Sequence, residues 1–142
     1  MTRGEQSVLS QLGQILSVSN RNNKAVDISG ALIFDDLWFV QALEGDRKAV
    51  WQKFQRICDD ERHGNIVLVE MRDIEERLFG NWWMGLAVHN ERTHAAFTPY
   101  LRHDRLSPVD MSASALLTLM ITVAKLGLSR EVLSSTILNY NI

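Results

Sequence analysis

One amide interrupts an apolar run: Gln41 sits within Trp38-Phe39-Val40-Gln41-Ala42-Leu43. On the solvent face of a strand such a side chain needs no explanation. Inside the sheet it must be hydrogen-bonded, because a buried amide without partners costs about 1–3 kcal/mol, and it then presents a donor and an acceptor to a polar ligand. Two more amides, Asn22 and Asn23, follow a helical stretch that ends in Ser19. They serve either as helix-stopping residues or as further polar contacts. Arg62 and His63 lie in a charged loop, where they are solvated, or where the guanidinium meets a phosphate that it would bind more strongly than a neutral donor does. Trp82, Trp83 and Met84 are residue types that ordinarily fill cores.

Other chemistries find little support. No dinucleotide fingerprint, nucleophile elbow or acid–base pair is visible. One cysteine, Cys58, forms no internal disulfide, and with four scattered histidines it suggests no metal cage. The formal net charge of −2, with acids and bases interspersed, leaves no footprint for nucleic acid and no polybasic membrane patch. Met1 to Gln6 carries no signal-peptide core, and the apolar run Ala115–Val123 is interrupted by Thr118 and Thr122 and is too short for a bilayer. The expected setting is the cytoplasm. With 142 residues, 46% apolar and 23% charged, the chain suffices for one domain with a real core and an appended element.

The elements that must position these residues follow from periodicity. Val8, Leu9, Leu12, Ile15 and Leu16 recur at helical spacing, predicting a helix from about Gln6 to Ser19 that the run Asn20–Asn23 stops. Ile28–Phe34 and Trp38–Leu43 flank the acidic turn Asp35-Asp36-Leu37 and predict a β-hairpin. Asp46 caps a second helix whose apolar face is Val50, Phe54 and Ile57. Asp59–Asn65 is a charged loop, Ile66–Met71 a strand, Arg72–Gly80 irregular and Trp82–Val88 a last strand. Asn90–Arg105 reads as a polar connector. Ser107-Pro108-Val109-Asp110 then opens a helix to about Leu126, stopped by Gly127, and Ser129 caps a final helix to about Leu138. The order is α-β-β-α-β-β. With one strand in front it becomes an α+β, ferredoxin-like sheet, βαββαββ minus its first strand, followed by two C-terminal helices. The expected division is 1–91 for the sheet domain and 92–142 for the connector and helical extension.

Five motifs occur in order: Ser19-x-x-x-Asn23, Ile28-Ser29-Gly30, Phe39-Val40-Gln41-Ala42-Leu43-Glu44-Gly45, Ile57-x-x-Asp60-x-Arg62-His63 and Arg77-x-Phe79-x-x-Trp82-x-Met84-Gly85. Over about the first ninety residues the chain resembles the BLUF family, blue-light sensors that use FAD. The resemblance implies FAD as cofactor. It makes Gln41 the switching glutamine at the flavin ring, Asn23 the asparagine at the ring's carbonyl and imide edge, and Ser19 a pocket residue one turn earlier, with Asn22 beside it. Ile15 and Ile57 would clamp the ring from opposite faces, Arg62 and His63 would lie beside the ribityl and phosphate tail, and Trp82 and Met84 would stand near the glutamine where the signal leaves. A flavin does need such a set: an apolar sandwich, fixed amides at the polar edge and a cation for the phosphates.

The sequence departs from the family in one respect. The family's first strand carries a tyrosine beside the glutamine, which gives an electron and a proton to the excited flavin. Here the tyrosines are Tyr100 and Tyr140, and the expected position falls at or before Met1. The favoured account places that strand upstream of Met1; the alternative is a shortened, light-insensitive relative. Three roles follow: a photoreceptor that signals to a downstream effector protein, a light-blind interaction module that assembles as a homo-oligomer through its C-terminal helices, and, least favoured, a flavin enzyme.

Overall fold

The computed structural model describes residues 16–35, 38–60 and 65–126. Ile15, Arg62, His63, the hairpin residues Asp36 and Leu37, Gly127, the final helix expected at Ser129–Leu138, and Tyr140 lie outside them.

Helix α1 occupies residues 16–25, so it continues through the asparagines expected to end it. Asn20 turns its amide back onto Leu16 O at 3.0 Å without breaking the helix, and Asn23 gives its amide to a tertiary contact instead of the local backbone. The stop comes at Asp27, which adopts a left-handed φ of 55°. Asp27 N–H bonds Lys24 O and Ile28 N–H bonds Asn23 O, the paired closure of a Schellman ending.

Strand β1 (Ser29–Asp35) is buried along its full length because it is the central strand. It pairs antiparallel with β2 (Trp38–Glu44), Leu32 facing Gln41 and Phe34 facing Phe39, and parallel with β3 (Gly85–Val88). The sheet order is β2-β1-β3. Gly30 permits the closeness of the hairpin: a Cβ there would collide with the Ala42 carbonyl oxygen and stand 3.2 Å from Met84 Cε. Helix α2 (Arg47–Asp59) starts as expected, with the Asp46 carboxylate accepting from Ala49 N–H at 3.2 Å.

The expected strand at Ile66–Met71 does not form. The segment joins no ladder, and its apolar side chains are exposed, Val67 by 67%. A strand exists by pairing, and among the described residues the outer edge of β2 has no neighbour to carry a further one. The last strand is also shorter than expected, beginning at Gly85 instead of Trp82.

Residues 90–106 are more than a polar connector. They form α3 (His94–Phe97), a 3-10 turn (Thr98–Tyr100) and a small hairpin of β4 (Leu101–Arg102) and β5 (Arg105–Leu106). Thr93, Ala96, Phe97 and Leu106 are buried. Ser107 to Asp110 gives a separate 3-10 turn, in which the Ser107 hydroxyl donates to the Asp110 carboxylate at 2.8 Å; Met111 then turns extended. Helix α4 (Ala113–Leu126) starts afterwards, with Ser112 Oγ accepting from Ala115 N–H at 3.0 Å.

Alternation across the sheet separates two cores. Ala31, Ile33 and Ala87 face α4, where Leu119, Met120 and Val123 join Phe79, Phe97 and Leu106. Leu32, Phe34, Met84, Leu86 and Val88 face the other way, against Leu16 of α1. Each buried Leu, Val or Met contributes about 1.5–3 kcal/mol, so α4 is part of the core that packs on the sheet.

Candidate functional site

The α1-facing side of the sheet carries the polar residues. Register places Gln41 opposite Leu32, on that face and away from α4. Its side chain is exposed to an open groove, and its Nε2 donates to Met84 Sδ at 3.8 Å. Asn23, at the end of α1, is fully buried; its Nδ2 donates to Trp83 O at 2.7 Å. Its Oδ1 is buried and has no hydrogen-bond partner, the sole such side-chain atom among the described residues. An unsatisfied buried acceptor costs about 1–3 kcal/mol, so this oxygen has room for a donor that the described residues do not supply.

The groove runs between α1, α2 and β2, with the exposed 65–74 segment as its far wall; Val18, Ser19, Leu32, Gln41, Ile57 and Met84 are among its lining. Ser19 is buried and Asn22 exposed at its rim. The cavity of about 1580 Å³ continues round the edge of β2 to Val40, Ala42, Leu117 and Met120 on the α4-facing side, and so exceeds the ~300–1,000 Å³ of an ordinary small-molecule pocket. Along α2, Val50, Lys53, Phe54 and Ile57 share the groove-facing side. Burial, and next the nearby Arg56, lower the Lys53 pKa below its ordinary value of 10.5.

Glu44, the last residue of β2, fixes the floor. Its buried carboxylate accepts from Leu78 N–H at 2.7 Å, from Phe79 N–H at 2.8 Å and from the Ser29 hydroxyl at 3.2 Å. Arg77 reaches back to the Asp27 carbonyl at 2.9 Å and to Ser29 Oγ at 3.3 Å. Phe79 is thereby driven into the α4-side core. These ties place Trp82–Met84 beside Asn23 and Gln41.

The expected site residues thus separate into groups. Ser19, Asn22, Gln41, Ile57 and Met84 line one groove, and Asn23 meets the same segment from beneath. Trp82 packs with the α4-side cluster, on the opposite face from Gln41. Ile15, Arg62 and His63 lie outside the described residues. Leu32 and Lys53 carry no signal in the sequence motifs, and Glu44 lies within one that does not mark its anchoring role. The hairpin register is the signal that could have found Leu32, since pairing sets it opposite Gln41.

Residues 3–85 match the family model described as BLUF, sensors of blue-light using FAD. The chain belongs to the BLUF family. Relatives include the photoactivated adenylate cyclase subunit beta of Euglena longa, 34% identical over 107 residues, which are 75% of this chain and 12% of that protein. Another is the blue light- and temperature-regulated antirepressor BluF of Escherichia coli, 33% identical over 84 residues, 59% of this chain and 20% of that one. The chain therefore spans a small part of these relatives' length. The solved photo-activated state of BlsA superposes with a TM-score of 0.75 at 25% identity, covering 91% of this chain and 90% of BlsA. The dark state of BlrB gives 0.70 at 27%, covering 82% and 83%. The fold is the ferredoxin-like α+β fold of these BLUF proteins.

BLUF domains bind FAD, and the residues here suit a flavin. The orphaned Asn23 Oδ1 is an acceptor that matches an imide N–H, Gln41 offers both donor and acceptor, and Leu32 and Ile57 supply apolar surface for a flat ring. Among the described residues no group of three or more His, Cys, Asp or Glu could hold a metal ion, and no helix is long and apolar enough to cross a membrane.

Proposed function

We propose that this BLUF chain is a blue-light photoreceptor that holds FAD in the groove between α1 and α2 and signals to a separate effector protein. The observation that carries the reading is the buried, partnerless Asn23 Oδ1 on the sheet side that also bears Gln41 and Met84. In this reading Asn23 fixes the polar edge of the ring, Gln41 is the rearranging amide, Ile57 and Ile15 enclose the ring, Ser19 and Asn22 shape its rim, and Arg62 with His63 attends the tail. When bound, the flavin supplies blue-light absorption and a transient demand for an electron.

The chain's own part is the hydrogen bonding. Sulfur is a weak acceptor, so the Gln41–Met84 contact is easily exchanged for a better one when the ring's demand changes. Met84 leads directly into β3, and β3 abuts both β1 and the α3–α4 cap. A shift there would be a two-state bias on the C-terminal elements, through which an effector reads the light state. Unit 1–91 is the sensor in this reading, 92–142 the output element, and Trp82, packed under α4, a second exit for the signal.

Tyr100 packs with the α4-side core, across the sheet from Gln41, so it is no candidate for the electron donor. We assign that role to a tyrosine on a strand upstream of Met1, laid along the outer edge of β2. The second reading, a light-insensitive module that self-associates, is favoured by that same open edge and by the exposed Val67, Leu68 and Val69.

Absorbance of the purified protein with FAD decides between them. Bound flavin with a reversible red shift under blue light, in a chain extended upstream by the tyrosine strand, is the expected result. Failure of both the given and the extended chain to retain flavin would overturn the reading. Retention without a shift in the extended chain would favour the light-insensitive module.

A further inference from the structure

Away from the groove, at the other end of the sheet, two histidines and an aspartate form a chain that the light reading leaves unused. Asp35 closes β1, and its side chain is 7% exposed. Its Oδ2 accepts from Leu106 N–H of β5 at 2.7 Å, and its Oδ1 lies 2.7 Å from His89 Nδ1. His89 follows β3 and extends the ladder by donating its backbone N–H to Phe34 O at 2.9 Å. Its Nε2 lies 2.8 Å from Nδ1 of His94, the first residue of α3. Phe97 of the same helix stacks on the His89 ring, with centroids 4.5 Å apart.

Proton counting constrains this chain. An ionised carboxylate only accepts, so His89 Nδ1 carries a hydrogen. If His89 is neutral, its Nε2 is an acceptor and His94 Nδ1 must donate. If His89 is a cation, its Nε2 donates and His94 must be neutral. If both rings are cations, two N–H groups point at each other across 2.8 Å and the bond is lost. The closed pair thus binds at most one added proton, whereas separated rings bind two. By linkage, the state that binds more protons gains as pH falls, and imidazole is the side chain that changes charge between pH 5 and 8.

We propose that His94 is a pH-operated latch between α3 and the sheet: closed at neutral and higher pH, released when the second ring is protonated. Charged and titratable groups on the neighbouring elements are Asp35 of β1, Glu91 and Arg92 in the turn, Arg102, His103, Asp104 and Arg105 at the small hairpin, and Lys125 of α4. Asp35 touches His89 directly, and His94 is the exposed ring of the pair. Release loosens the turn from which Arg92 donates to Leu126 O at 2.9 Å, the end of α4. The latch therefore acts on the same C-terminal cap without involving a flavin.

The test is hydrogen exchange on the full chain from pH 8 to pH 5, corrected for intrinsic rates. Ala96 and Phe97 amides, both bonded to Thr93 O, should lose protection at least tenfold while Ile33 in β1 keeps its own. His94→Phe retains a flat ring without a titrating nitrogen and should remove that pH dependence. Flat protection in the natural chain, or equal pH dependence in the variant, overturns the latch. Should the variant fail to fold, 15N shifts of the natural imidazoles decide. Coupled titration with loss of the His89–His94 contact at low pH supports the proposal; independent titration with the contact intact at pH 5 overturns it.

Discussion

Asn23 and Gln41 are tied to consecutive residues of one segment, Asn23 to the Trp83 carbonyl at 2.7 Å and Gln41 to Met84 sulfur at 3.8 Å. The two bonds differ in kind. The first joins a fully buried amide to a backbone carbonyl and is short; the second joins an exposed amide to a weak acceptor. One amide is fixed and its neighbour is adjustable, the division of labour that a hydrogen-bond switch requires.

The pair therefore predicts opposite mutant profiles. Asn23→Ala strips the Trp83 carbonyl of its donor but also removes the unsatisfied Oδ1, so the two effects of about 1–3 kcal/mol each oppose one another, stability without flavin changes little, and flavin retention drops. Gln41→Leu changes stability by about 0.5 kcal/mol or less, keeps the flavin and, in the chain extended upstream by the tyrosine strand, abolishes the red shift. Urea melts and absorbance spectra of the two variants check this; similar profiles would contradict the assignment.

Glu44→Gln tests the floor of the site. The amide replaces one carboxylate oxygen by a donor, which then confronts Leu78 N–H or Phe79 N–H. Loss of one charge-assisted bond costs about 1.5–3 kcal/mol. Calorimetric melting should show the loss, and Trp82 and Trp83 fluorescence should shift as the 77–84 segment loosens.

At Gly30 the barrier is steric. Any Cβ meets the Ala42 carbonyl oxygen, a backbone atom that cannot yield without parting β1 from β2. Gly30→Ala should cost about 3 kcal/mol, the upper part of the usual range for overpacking. Chemical denaturation measures it, and a loss under 1 kcal/mol would show that the hairpin can spread.

Local pattern made the hairpin and α2 legible: two apolar runs around an acidic turn marked both strands, and Asp46 does cap onto Ala49. What escaped depends on partners far along the chain. The asparagine run reads as a helix stop until Asn23 is seen to bond Trp83, sixty residues on. Ile66–Met71 has strand composition, yet composition supplies no neighbour for its ladder. The 90–106 stretch looks polar, but Asp35 captures Leu106 N–H from 71 residues away and folds it inward. Of the candidate site, Gln41 stands out because it interrupts an apolar run, whereas Asn23 and Ile57 enter only through the resemblance to the BLUF family. Glu44 was noted within a motif, but its anchoring role was hidden because its partners are backbone N–H groups, which sequence does not mark.

The unpaired 66–71 segment gives a kinetic prediction. Its amides should exchange with solvent near intrinsic rates, while those of β1, paired on both sides, are the slowest in the protein. Exchange mass spectrometry resolves the two peptides. If an upstream strand joins the edge of β2, the extended chain should protect 66–71 as well, and equal exchange in both chains would place the strand elsewhere.

Lys53 offers a prediction about pH. Its pKa is lowered by partial burial and by Arg56, so the folded state holds this proton less tightly than the unfolded state does. The charged form is therefore a destabilising presence at neutral pH. Between the lowered folded value and the ordinary 10.5 the unfolded chain binds more protons, and stability attributable to this residue rises with pH across that window. Lys53→Met removes the penalty while keeping the apolar stem, so it should stabilise the protein at pH 7 by roughly 0.5 kcal/mol after solvent screening. The gain should shrink as pH approaches 10.5, where both states of the natural side chain lose the proton. Paired melts of the two proteins at pH 7 and pH 10 give the sign directly. A gain that grows with pH would mean that the ammonium is held by an acceptor in the groove instead of being penalised there.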